Sequence, residues 1–145
     1  MAELMAYIFC DNAREQADYY ARILNGEIVT LQTYGELAGS EHHDPERVEH
    51  IELHAAGVVL YMADMQGAVR GNALELVLEF ASIEEAGRIF ESLAEGSSIL
   101  VPFTPMYWGR MHGRLIDRYG VGWQITSKVL EAGRQADGSL RLPEA

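Results

Sequence analysis

The hydrophobic pattern switches between two periods along the chain, and it makes the same switches twice. Met5–Cys10 is a short apolar run of strand type. Ala13, Ala17, Tyr20 and Leu24 then fall at steps of four, three and four, the spacing of one helical face, which predicts a helix over Ala13–Leu24. Glu27–Tyr34, rich in β-branched and aromatic residues, is the next predicted strand. A polar loop, Gly35–Arg47, leads to Val48–Ala55 and Val58–Ala63, which flank Ala56-Gly57 as a hairpin.

Downstream the order returns. Leu74–Phe80 reads as a strand. Ile83–Leu93 reads as a helix with Ala86, Ile89 or Phe90, and Leu93 inward. Ser98–Phe103 is a strand that Pro102 and Pro105 are expected to end. Arg110–Ile116 and Val121–Ser127 close the unit through Asp117-Arg118-Tyr119-Gly120. Both helices open on a capping box, Asn12 with Glu15 and Ser82 with Glu85, and both stop at a glycine expected to take the left-handed conformation, Gly26 and Gly96. The two caps lie 70 residues apart, and so do the two glycines. Aligning Gly57 with Gly120 sets the last strands at an offset of 63.

Each unit is thus β-α-β-β-β. The expected fold is α+β: two tandem βαβββ modules, about 4–64 and 73–127, form one curved eight-stranded mixed sheet with helices on its outer face. Residues 1–127 are expected to be a single domain, 66–72 its internal joint and 128–145 a C-terminal tail. One helix covers only one face of a four-stranded sheet, so the other face is left for a ligand, a partner or water.

Strand alternation divides the residues between those faces. Leu74, Leu76, Leu78 and Phe80 are expected toward the helix, and Glu75 and Val77 opposite. The offset of 70 puts Met5, Tyr7 and Phe9 on the corresponding open face. His50, Glu52 and His54 follow from Ile51 and Leu53 pointing inward. Tyr61 and Gln124 take matching places on the last strands, while Tyr107, Trp108 and His112 are expected as an aromatic wall. A carboxylate in such a concavity is expected to titrate high, which would suit Glu75 or Glu52 beside His50 to proton transfer.

Charge and composition narrow the function. A net charge of −11 disfavours nucleic acid and anionic membrane as partners. No apolar run reaches a membrane span, and the N-terminus lacks a basic signal region. One cysteine, Cys10, excludes an intramolecular disulfide framework and suits a reducing cytoplasm. Nothing basic near Cys10 favours a thiolate. No glycine-rich strand–helix turn for S-adenosylmethionine is present, which argues against methyl transfer.

Several segments carry a family resemblance: Ala6-Tyr7-Ile8-Phe9, Tyr20, His42-His43, His50-Ile51-Glu52-Leu53, Gly71-Asn72, Tyr107-Trp108-Gly109 and Asp117-Arg118-Tyr119-Gly120-Val121-Gly122-Trp123. In order and spacing the chain resembles the PhnB-like branch of the vicinal oxygen chelate superfamily, which includes glyoxalases, bleomycin-resistance proteins and extradiol dioxygenases. The resemblance implies a glyoxalase-like, small-molecule-binding homodimer with its pocket on the concave sheet face. It implies metal ligands at Met5, Tyr61, Glu75 and Gln124, where Gln124 replaces the glutamate typical of active relatives. With one strong donor in that set, no cofactor is expected. Glu75, Gln124 and His50 are the weak candidates for a divalent metal. The alternative reading is a lyase, isomerase or resistance-type transferase on a vicinally oxygenated molecule, with Glu75 as base or metal ligand.

Overall fold

The computed structural model describes residues 1–37, 39, 41, 44–106 and 109–128. These form eight strands and two α-helices in two compact units that divide between Val69 and Arg70. The eight strands are hydrogen-bonded as two sheets of four. No helix among the described residues is long and apolar enough to cross a membrane.

The first unit runs β1 (Ala6–Cys10), α1 (Ala13–Ile23), β2 (Glu27–Thr33), β3 (Val48–Ala55) and β4 (Val58–Asp64), with sheet order β1-β4-β3-β2. The second runs β5 (Leu76–Phe80), α2 (Ile83–Ala94), β6 (Ser98–Pro105), β7 (Met111–Ile116) and β8 (Gly122–Ser127), with sheet order β5-β8-β7-β6. In both, the first strand pairs in parallel with the last and every other pairing is antiparallel. The internal repeat keeps its register in the parallel ladder of each unit. Tyr7 lies opposite Tyr61 in β1–β4, and Val77 lies opposite Gln124 in β5–β8. Glu52 opposite Tyr61 likewise has its counterpart in Arg114 opposite Gln124.

Burial follows the predicted alternation. Ala13, Ala17, Tyr20 and Leu24 are buried along α1, and Ile51, Leu53, Leu60 and Met62 are buried on β3 and β4, the strands α1 packs on. Ala86, Ile89, Phe90 and Leu93 are buried along α2, with Leu78, Phe80, Leu115, Trp123 and Ile125 in the same core. Asp64 ties the first unit together: its Oδ1 accepts from Ala13 N (2.7 Å) at the start of α1, and its Oδ2 accepts from Val48 N (2.8 Å) at the start of β3.

Four local expectations need correction. Leu74 precedes β5 and is 90% exposed, so it meets no helix. Strand β6 passes through Pro102 and ends at Pro105. It is an edge strand with register shifts at Val101 and Thr104, and there a missing N–H costs no ladder bond. Asn12 Oδ1 and Ser82 Oγ do cap their helices, accepting from Glu15 N and Glu85 N at 3.2 Å each. However, Ser82 Oγ donates to Glu84 Oε2, and neither Glu15 nor Glu85 completes the reciprocal bond among the described residues. Last, the left-handed residue closing α1 is Asn25 (φ 52°), not Gly26. Gly26 N donates to Ala21 O at 2.8 Å, the six-to-one bond of a Schellman motif, which puts Asn25 one place earlier in the left-handed position. Gly96 does adopt φ 77° after α2.

Candidate functional site

The open face of the first unit is aromatic. Tyr7 stacks on Phe9 at 4.9 Å between ring centres, His50 approaches Tyr61 at 5.0 Å, and Tyr7 meets Tyr61 edge-on at 5.9 Å. The Tyr7 hydroxyl lies 3.0 Å from His50 Nδ1. Partial burial, and then the charges of Glu49 and Tyr34, push the Tyr7 phenol above its ordinary range. Tyr7 therefore keeps its proton, and the tautomer of His50 sets which of the two groups donates. His50, Glu52 and His54 share a strand face as expected but do not converge: His50 turns to Tyr7, while His54 Nε2 pairs with Glu52 Oε2 at 2.8 Å. Met5 sits just before β1, partly exposed.

The open face of the second unit is polar and built around Glu75. Arg114 clamps that carboxylate with two bonds, Nε to Oε1 and Nη2 to Oε2, both 2.8 Å. Gln124 Nε2 donates to the same Oε1 at 2.8 Å. Its own oxygen, Oε1, lies 3.1 Å from His112 Nε2. Two strands away, Arg110 forms an ion pair with Glu79. The register explains the assembly. Arg114 lies opposite Gln124 on β8, and His112 is two residues before Arg114 on the same side of β7.

A pocket of about 260 Å³ opens on this face, lined by Val77, Met106, Arg110, His112, Gln124 and Thr126. Of the residues predicted for a pocket, Val77, His112 and Gln124 line it. Met106, Arg110 and Thr126 were not foreseen, nor was the Arg114 clamp on Glu75. His112 was expected as part of an aromatic wall; strand alternation, applied to this segment, sets Arg110, His112 and Arg114 on one face, so the signal was present in the strand. Tyr107, Trp108 and the His42-His43 pair lie outside the described residues, as does the tail beyond Lys128.

The expected upward shift of Glu75 is overturned. The Arg114 bonds come first and the Gln124 bond second, and together they hold its carboxyl below the usual range despite some desolvation. A carboxylate so clamped is a weak base. The metal that the fold family implies also fits poorly. Both Glu75 oxygens already accept from a guanidinium, whose charge opposes a cation at the same atoms, and Gln124 offers its oxygen to His112. Among the described residues no three His, Cys, Asp or Glu side chains gather as a metal cluster.

The lowered Glu75 value fixes the sign of a pH effect. A group whose folded pKa lies below its unfolded value stabilises the fold above the unfolded value, and that contribution fades as pH falls through the folded one. Wild type is expected to exceed Glu75→Gln in stability at pH 7. The gap should start to close near the ordinary glutamate value of roughly 4.3 and go on closing below it. Urea titrations of both proteins from pH 7 to pH 3 test this. A gap that stays constant to pH 3 would count against the clamp.

Comparison with known proteins agrees with the fold. The family model for 3-demethylubiquinone-9 3-methyltransferase matches residues 3–126. Protein YjdN of Escherichia coli (strain K12) is 26% identical over 130 residues, covering 81% of this chain and 88% of YjdN. Protein PA1353 from Pseudomonas aeruginosa superposes with TM-score 0.77 at 26% identity, over 88% of this chain and 98% of that one. The PhnB protein from Bacillus cereus superposes with TM-score 0.72 at 22% identity, over 88% and 100% of the two chains. A glyoxalase/bleomycin resistance protein/dioxygenase family enzyme from Burkholderia phytofirmans PsJN shares the fold at TM-score 0.61 and 11% identity, over 87% and 97%. The chain belongs to the 3-demethylubiquinone-9 3-methyltransferase family and has a glyoxalase-like fold.

Proposed function

We propose that this protein binds a small molecule on the non-helical face of its second unit, without the family's metal. The observation that carries the reading is the pocket of about 260 Å³, with apolar Val77 and Met106 on its walls and Arg110, His112, Gln124 and Thr126 as polar groups. A few convergent polar groups on an otherwise apolar concavity are the usual marks of a ligand site. The volume is just under the roughly 300–1,000 Å³ of drug-sized sites, which favours an occupant of few heavy atoms. The aromatic face of the first unit offers stacking surface of the same general use. A homodimer and a cytoplasmic location belong to this reading. The first is supported by edge strands at both ends of each sheet, the second by a single, buried cysteine.

The test is a nitrogen–proton correlation titration with three uncharged probes: phenol, cyclopentanone and 2-pyrrolidinone. At least one is expected to saturate, with the largest shifts at Val77, His112, Gln124 and Thr126. Filling the pocket with Val77→Trp should abolish it, and light scattering on the same sample should give twice 16.1 kDa. No saturation by any probe, or shifts confined to the helices, would overturn the binding reading. A mass of one chain would remove the dimer.

A further inference from the structure

The pocket is lined by a guanidinium and by no carboxylate: Arg110 stands there with Val77, Met106, His112, Gln124 and Thr126. Two carboxylates share the same sheet face, and they are held very differently. Glu75 takes both bonds of the Arg114 clamp and a third from Gln124, and its side chain is 15% exposed. Glu79 makes one ion pair, with Arg110 Nη1, and both of those side chains are about a third exposed. A clamped, two-bond pair is strong, whereas a half-open ion pair contributes little to stability and exchanges readily. Glu79 also stands in line with the lining residues. It lies opposite Thr126 on β8, and Thr126 lies opposite His112 on β7, so the three make one row across the sheet.

The donors can be assigned atom by atom. Arg110 Nε is shut off from solvent, so what Arg110 can offer a guest is its terminal Nη end, the end that pairs with Glu79. Gln124 Nε2 carries two hydrogens and gives one to Glu75 Oε1, which leaves the other. Thr126 gives its only side-chain hydrogen to Met111 O and adds no donor. The lining thus combines a positive charge and an amide N–H with apolar Val77 and Met106. Glu79 shows which anion suits that guanidinium: a planar carboxylate with one charge.

Resting on the binding reading above, we infer that the pocket takes a small monocarboxylate, whose carboxylate replaces Glu79 on the Nη end of Arg110 while its hydrocarbon part lies against Val77 and Met106. Glu79 occupies the guanidinium in the empty pocket and competes with the ligand for it. An uncharged analogue keeps the apolar contacts and gains nothing from the exchange, so it binds more weakly.

The experiment titrates the full chain at neutral pH with benzoate and with benzamide, its uncharged isostere. Benzoate is expected to bind roughly tenfold more tightly. Arg110→Gln should erase the difference. Glu79→Gln should act in the opposite direction: with the competing carboxylate gone, benzoate tightens by roughly threefold and benzamide does not change. Glu91→Gln removes the same charge on α2, on the other side of the sheet, and should alter neither. Equal binding of the two probes to wild type would sink the carboxylate inference and leave the binding reading standing. Binding of neither would sink both. A benzoate preference that survives Arg110→Gln would overturn the inference. So would a Glu79→Gln variant that binds benzoate no better than wild type, or no better than Glu91→Gln does.

Discussion

Replacing Asp117 with alanine is expected to destabilise the protein by about 4 kcal/mol, since it leaves three donors unanswered at roughly 1–3 kcal/mol each and part of that is recovered by relaxation. Asp117 is 4% exposed, and its carboxylate organises the β7–β8 turn. Oδ1 accepts from Tyr119 N at 2.8 Å and Val121 N at 3.0 Å, and Oδ2 accepts from Trp123 Nε1 at 2.8 Å. Trp123 has no exposed surface and lies opposite Leu76 and Leu115, at the centre of the second core. One side chain thus links the turn to the largest core residue. The melting temperature should fall by on the order of 10 °C. Asp117→Asn should cost about half as much, because one oxygen remains for the two backbone donors while its amide nitrogen meets the indole N–H. Trp123→Phe removes one of the three donors, so the double substitution with Asp117→Ala should be less than additive. Full additivity in calorimetry would show that the Asp117–Trp123 bond contributes nothing.

That link was half visible in the sequence. Asp117 and Trp123 stood out as parts of a family-like segment, but spacing alone could not tell a turn-organising carboxylate from a functional one. The structure assigns Asp117 to the fold. Its distance from the pocket face follows from strand alternation: Trp123 and Ile125 point to α2, while Gln124 and Thr126 point away.

The fold was legible because its signals are local and repeated. Caps at Asn12 and Ser82 and the helical spacing of Ala13, Ala17, Tyr20 and Leu24 act over short stretches of chain, and the seventy-residue offset repeats them. The site was legible as a face and not as chemistry. Glu75 and Gln124 were expected there, but what a carboxylate does depends on which partner meets it across the sheet. Arg114 decides that, and it lies 39 residues from Glu75. A guanidinium in β7 looks like an ordinary solvated charge until the β7–β8 register places it over Gln124. The same dependence on long-range pairing turned His50, Glu52 and His54 from one candidate cluster into two separate pairs.

Glycine marks the place where sequence reasoning gave the right residue for the wrong reason, and the correction carries a second large effect. Gly26 has no positive φ; Asn25 does. What excludes a side chain at 26 is the neighbouring strand. A Cβ there would lie 2.4 Å from both His54 O and Ala55 Cβ and 2.8 Å from Ala55 Cα, and two of those three atoms are backbone. Main chain cannot swing aside as a flexible side chain can, so β3 and the α1–β2 connection must separate. Gly26→Ala is expected to cost about 3 kcal/mol or more, at the upper end of overpacking effects. The same substitution at Gly87 should do the reverse. Gly87 lies inside α2, and its Cβ would meet the Phe103 ring, Cε2 at 3.5 Å and Cδ2 at 3.9 Å, ordinary contacts. Alanine there should stabilise by about 0.5–1 kcal/mol, because glycine is the more costly residue to order in a helix. Urea denaturation of the two variants gives opposite signs if space, and not the removal of glycine as such, governs each site. Destabilisation of both by the same amount would refute the close approach at Gly26.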